Sequence, residues 1–126
     1  MPVKKDIHIL IVDDSSLVRT VHRKMLEQIG FRNLTEADDG TNALTILNSE
    51  TVDLVITDWN MPQMSGLQLL QAMQANTALK PIPVLMVTSE DEQQEVLKAI
   101  KSGVTYYILK PTTAEKFKER ITKILL

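Results

Sequence analysis

Asp53-Leu54-Val55-Ile56-Thr57-Asp58-Trp59-Asn60-Met61-Pro62 runs an apolar strand straight into an acid, and Pro62 then bars further strand pairing. A carboxylate at the end of a buried strand is costly unless something compensates it. A second apolar run, Ile9-Leu10-Ile11-Val12, ends the same way in Asp13-Asp14. Strands of this kind, apolar on both faces, belong in a parallel sheet covered on both sides. Three acids delivered by two of them suggest a hard-cation site beside a reactive carboxylate.

Outward from this stretch, short apolar runs alternate with amphipathic ones five times. Strands are predicted at about Ile7–Val12, Asn33–Ala37, Leu54–Thr57, Val84–Thr88 and Thr105–Leu109. The first helix is expected to be capped by Asp14 or Ser15, to carry Leu17, Val21, Met25 and Ile29 on one stripe, and to stop at Gly30. The second, about Thr41–Ser49, presents Ala43, Leu44 and Leu47. The third, from the capping residue Ser65 to Ala75, presents Leu67, Leu70 and Met73. A fourth is expected to begin near Ser89–Asp91, to carry Val96, Leu97 and Ile100, and to end at Gly103. A fifth begins at Thr112 or Thr113 and carries Phe117, Ile121 and Ile124. Five βα units in this length specify an α/β fold, a doubly wound five-stranded parallel sheet of (βα)5 type. One domain over residues 1–126 with no output domain is expected.

The bulk composition narrows the function. With 126 residues, 44% apolar and 24% charged, the chain can build an ordinary globular core. A net charge of −2 without any basic cluster argues against nucleic acid as a partner. The absence of cysteine excludes disulfides and thiolate metal sites. Lys4 and Lys5 precede an apolar run too short, and too interrupted by His8, for a secretory signal. No stretch is long and apolar enough to span a bilayer. A cytoplasmic monomer is the expectation.

In an open parallel sheet, ligands sit beyond the carboxyl ends of the strands where strand order reverses. The predicted strand ends supply Asp13 and Asp14, then Asp58, then Thr88, then Lys110. With a flavodoxin-like order 2-1-3-4-5, the switch point falls between the first and third strands, flanked by the three acids. Two carboxylates about 5 Å apart repel by roughly 3 kcal/mol at an effective dielectric of about 20. One lysine compensates in part, and a divalent cation does so better. All-oxygen donors select Mg²⁺, Mn²⁺ or Ca²⁺ over zinc. Carboxylate, cation, ammonium and hydroxyl together suit transfer of one phosphoryl group.

These residues match a family over the whole chain. Val12-Asp13-Asp14-Ser15, Thr57-Asp58-Trp59-Asn60-Met61-Pro62, Ser65-Gly66, Met86-Val87-Thr88 and Leu109-Lys110-Pro111 occur in the order and spacing of response-regulator receiver domains of two-component signalling. The sequence resembles most the stand-alone chemotaxis regulators of the CheY type. The order 2-1-3-4-5 is that family's own, so it stands on the resemblance and not on the spacing. The resemblance implies that Asp58 accepts a phosphoryl group from a histidine kinase. It further implies that Asp14 and Asp58 bind Mg²⁺ through side chains, Asn60 through its main-chain carbonyl, and Asp13 directly or through water. Thr88 and Lys110 would contact phosphoryl oxygens. Tyr107 would be the switch aromatic, turning inward when Thr88 engages the phosphate. Asn60 and Glu90 would tune the lifetime of the phosphoryl group. The implied target face comprises Gln93, Val96, Ile100, Tyr107, Arg120 and Lys123, on the fourth helix, fifth strand and fifth helix. A phosphatase is a further implied partner, and the Lys110–Pro111 bond would be cis. Departures from the family pattern are Ser89, Tyr106 and Thr112, where Ala, a small residue and Phe are common. None touches the acid cluster.

Plainer readings exist for several of these positions. Tyr107 as a bare strand aromatic would lie half-buried against the fifth helix. Trp59 is expected as a half-exposed indole beside the site, His8 as a strand residue and His22 as a helix-surface residue. Among functions, a phosphorelay intermediate that passes phosphate to another histidine is the main alternative. An aspartate-nucleophile phosphatase would carry Asp-x-Asp at the nucleophile, whereas Asn60 stands in the second place. A flavin mononucleotide site would meet acids after the first strand instead of phosphate-cradling Ser, Thr or Gly.

Overall fold

Alternation along each strand builds two layers, one on each face of a central sheet. The computed structural model describes residues 4–89, residue 94 and residues 106–125. Its elements run β1 (His8–Val12), α1 (Ser16–Ile29), β2 (Asn33–Ala37), α2 (Gly40–Ser49), β3 (Leu54–Asp58), α3 (Gly66–Gln74), β4 (Val84–Thr88), β5 (Tyr106–Leu109) and α4 (Ala114–Leu125). The five strands form one parallel sheet in the order β2-β1-β3-β4-β5. The last helix predicted from the sequence is thus α4. The expected fourth helix, with Glu90, Gln93, Val96, Leu97 and Ile100, lies outside the described residues.

On one face Leu10, Val12, Val55 and Met86 pack with Ala43 and Leu47 of α2 and with Leu69, Leu70 and Met73 of α3. On the other, Ile9, Ile11, Ile56 and Val87 pack with Leu26 of α1 and with Phe117 and Ile121 of α4. The register sets Val12 opposite Thr57, Asp58 opposite Val87 and Thr88 opposite Leu109. The strands that matter therefore end level, at a single polar edge.

Local signals explain the helix ends. Ser15 Oγ accepts from Val18 N–H, and Gly30 closes α1 at φ 117°, a left-handed conformation that glycine adopts without strain. Asp39 caps α2 and Ser65 caps α3, the latter in a reciprocal capping box with Gln68. Thr113 Oγ1 accepts from Lys116 N–H at the start of α4. His8 lies on β1 as expected, its ring nitrogens 2.8 Å from Thr51 O and 2.7 Å from Thr35 Oγ1.

Four expectations need correction. The stripe of α1 is rotated from the predicted one: Leu17 is 72% and Val21 42% exposed, while His22 and Leu26 are buried. Steps of four residues overshoot a full turn, so the inward arc settles one residue further along the chain. His22 is consequently no surface residue; its ring packs edge-on to Phe117 of α4 at 5.3 Å. Trp59 is not half-exposed: the strand register continues through its N–H, which donates to Val87 O at 3.0 Å, and the indole joins the α2–α3 layer, 6% exposed. Tyr107 packs on that same layer, and it is Tyr106 that faces the α1–α4 side.

Candidate functional site

Asp13 follows β1 immediately and Asp58 is the last residue of β3, the central strand of the sheet and β1's neighbour. Both are buried, 2% and 6% exposed, whereas Asp14 is exposed. One carboxylate oxygen from each of the three lies within 4.8 Å of the others. The chain is leaving the strand at Asp13-Asp14, which lets consecutive side chains converge on one place. Ser15 N–H donates to Asp13 Oδ1 at 2.8 Å and holds that turn.

Lys110 follows β5 and reaches back across β4. Its Nζ lies 2.8 Å from Asp58 Oδ1, and its N–H donates to Thr88 O at 2.7 Å. The peptide bond Lys110–Pro111 is cis, as the resemblance implied. Thr88, fully buried, ends β4 one step along from the residue paired with Asp58. Tyr107 sits on β5 opposite Met86, two residues before Thr88, and is half-buried. Asn60 is exposed in the loop after β3. That loop turns at Gln63, φ 66°, and returns so that Gly66 N–H donates to Trp59 O at 2.9 Å.

The electrostatics are those of crowded carboxylates. Burial pushes the Asp13 carboxyl above its ordinary value; the Ser15 N–H opposes the rise, Asp58 adds to it, Lys110 lowers it and Asp14 raises it. Two nearby carboxylates thus favour the protonated acid, and Lys110 opposes them. The donor set contains only oxygens, held close enough to share one ion. It fits a hard divalent cation such as Mg²⁺.

The structure brings Asp13, Asp14, Asp58 and Lys110 together and sets Thr88 at the same edge. Arg120 and Lys123 stand exposed on α4. Sequence reasoning passed over Ser15 as a partner of Asp13, Gly66 as the residue packed on Asp58, and an arginine pair on α1. Ser65-Gly66 opening a helix after the acid was the legible signal for the second.

Comparison with known proteins identifies the family. The profile of the family described as "Response regulator receiver domain" matches residues 9–122. The chemotaxis protein CheY of Pseudomonas aeruginosa is 49% identical over 116 residues, which span 92% of this chain and 94% of that protein. Chemotaxis protein CheY-3 of Vibrio cholerae is 45% identical over 122 residues, 97% of this chain and 94% of that protein. Among solved structures, the chemotaxis response regulator CheY4 of Vibrio cholerae superposes with a TM-score of 0.86 at 28% identity, covering 95% of this chain and 99% of that one. A receiver domain protein from Clostridium thermocellum does so with a TM-score of 0.85 at 29% identity, covering 94% of each chain.

Proposed function

The chain belongs to the response regulator receiver domain family, of the CheY chemotaxis type, and we propose that Asp58 is its phosphoacceptor. The observation that carries this reading is one buried carboxylate, 2.8 Å from an ammonium, with two further acids in reach of a shared cation. An oxygen of Asp58 attacks the phosphorus of a kinase phosphohistidine. The P–N bond breaks, an acyl phosphate forms, and the imidazole leaves with its ring nitrogen free to take a proton.

Asp14, Asp58 and the main-chain carbonyl of Asn60 would hold Mg²⁺, with Asp13 acting directly or through water, and the bound ion would supply charge neutralisation for the phosphoryl oxygens. Lys110, already beside Asp58, stays with the oxygens that gain charge. The Thr88 hydroxyl becomes a donor to the same group. Its movement biases Tyr107 on the neighbouring strand and so shifts the population of two surface arrangements. The readout is a change in affinity for a protein target at the face that includes Tyr107, Arg120 and Lys123. Asn60, and Glu90 outside the described residues, set how long the acyl phosphate survives.

The test is incubation with a small phosphoryl donor and Mg²⁺, read by intact mass and by Trp59 fluorescence. Wild type should gain one hydroxylamine-sensitive phosphoryl group and change its emission, and Asp58→Asn should do neither. A phosphoryl group retained in Asp58→Asn would refute the assignment.

A further inference from the structure

Arg19 lies on α1, yet its guanidinium works on the turn that presents the acids. Its Nη1 donates a short hydrogen bond to the main-chain oxygen of Asp13. Its Nε lies 3.1 Å from Glu36 Oε1 on β2. Arg23, one helical turn on, places Nη1 3.2 Å from the other oxygen of Glu36 and 3.4 Å from Leu34 O. One carboxylate thereby fixes two guanidinia. The side chain of Arg19 is only 15% exposed.

The turn itself is gripped at three points. Asp13 N–H donates to Ala37 O at 3.1 Å, Asp13 Oδ1 accepts from Ser15 N–H at 2.8 Å, and the Asp13 carbonyl accepts from Arg19. The first two hold the peptide before Asp13 and its side chain. The third holds the peptide that joins Asp13 to Asp14, so it governs where the exposed Asp14 carboxylate lies relative to Asp58. A planar guanidinium can serve Glu36 and the carbonyl together; a lysine ammonium, a point charge on a flexible stem, cannot hold that fork.

The geometry points to Arg19 as a positioning residue for the Asp13–Asp14 turn, locked by Glu36, which sets the carboxylate spacing on which divalent-cation affinity depends. This rests on the reading of the acid cluster as a Mg²⁺ site. It is also separable from a bare charge effect, because the two have opposite signs. A cation this near the acids opposes a second one, so deleting charge alone would tighten Mg²⁺ binding. Losing the clamp would loosen it. Partners that orient metal ligands without touching the ion are typically worth about 10–100-fold in metal affinity.

The experiment is calorimetric titration of the purified chain with MgCl₂ at neutral pH, for wild type, Arg19→Ala, Arg19→Lys and Glu36→Gln, with the chemical denaturation midpoint of each recorded. Both Arg19 variants should weaken Mg²⁺ binding by about ten-fold, the lysine no better than the alanine, and Glu36→Gln should weaken it in the same direction. If Arg19→Ala unfolds, Arg19→Lys, which keeps the charge and loses the fork, carries the test. Affinities within about two-fold of wild type, tighter binding in Arg19→Ala, or rescue by Arg19→Lys would overturn the proposal. Absence of Mg²⁺ binding in wild type would instead remove the metal reading beneath it.

Discussion

Gly66 opens α3 where a side chain has no room: a Cβ there would lie 2.4 Å from the main-chain oxygen of Asp58 and 3.0 Å from Met86 Sδ. The sulfur can move; the carbonyl belongs to the residue that carries the reactive acid and cannot shift without moving it. Gly66→Ala is therefore expected to cost about 1–3 kcal/mol of stability, the usual range for overpacking a tight interior. It should also slow phosphorylation of Asp58 more than the stability loss explains, because it displaces the end of β3. Urea unfolding and a phosphorylation time course on the same protein check both parts. Unchanged phosphorylation would show that α3 can retreat without dragging the acid. In the sequence Gly66 stands out only as part of the Ser65-Gly66 motif at the start of a helix; the contact that explains it joins that helix start to a strand end, and spacing alone does not reveal it.

The same limit appears between elements, where α1 meets α4. Strand positions were legible because alternation and apolar runs are local: β2 and β4 fall on the predicted residues, β1 and β3 within one, and β5 agrees from Tyr106 on, Thr105 lying outside the described residues. The inward face of α1 was not, since an amphipathic helix with scattered apolar residues allows more than one arc. Only the partner helix decides, and Phe117 of α4 selects His22. The choice has a measurable cost. Burial, with Lys110 adding to it, lowers the His22 pKa from 6.5 to about 4. The imidazole is neutral in the fold, so the unfolded chain takes up the proton first. Its contribution is full above about pH 6.5, lost as pH falls towards 4, and level below that. The loss amounts to at most about 3 kcal/mol. His22→Leu should flatten the stability profile between those limits, read as the difference from wild type in denaturant midpoint across pH. Parallel profiles would mean that His22 carries its proton in the folded protein.

Across the whole molecule, the sheet collects charge at one edge that the rest of the fold must offset. The motif residues Asp13, Asp14, Asp58 and Lys110 were legible as a group because strand ends in a parallel sheet share an edge, and the family resemblance supplied their order. Arg19, Arg23 and Glu36 were not, because nothing local pairs an α1 arginine with β2. The cost of gathering three acids at one edge shows at Asp13, whose carboxyl is held above the ordinary 3.8 by burial and by its neighbours Asp58 and Asp14. For a raised acid the ionised form opposes folding, so its cost is absent at low pH and fully present above the raised pKa. Asp13→Asn keeps the acceptor oxygen for Ser15 N–H while removing the charge. Without metal at neutral pH it should therefore melt above wild type, by several degrees for a gain of about 1 kcal/mol. Mg²⁺ should reverse that ranking. A ligand bound only by the native state adds about 2.7 kcal/mol at a concentration one hundred times its Kd. Wild type gains this increment and Asp13→Asn loses most of it, so the two melting curves should cross as MgCl₂ is raised. Thermal melts with chelator and over a MgCl₂ series test the crossing. A wild-type midpoint indifferent to Mg²⁺, or a variant less stable in chelator, would mean that the acid edge is balanced by the protein alone.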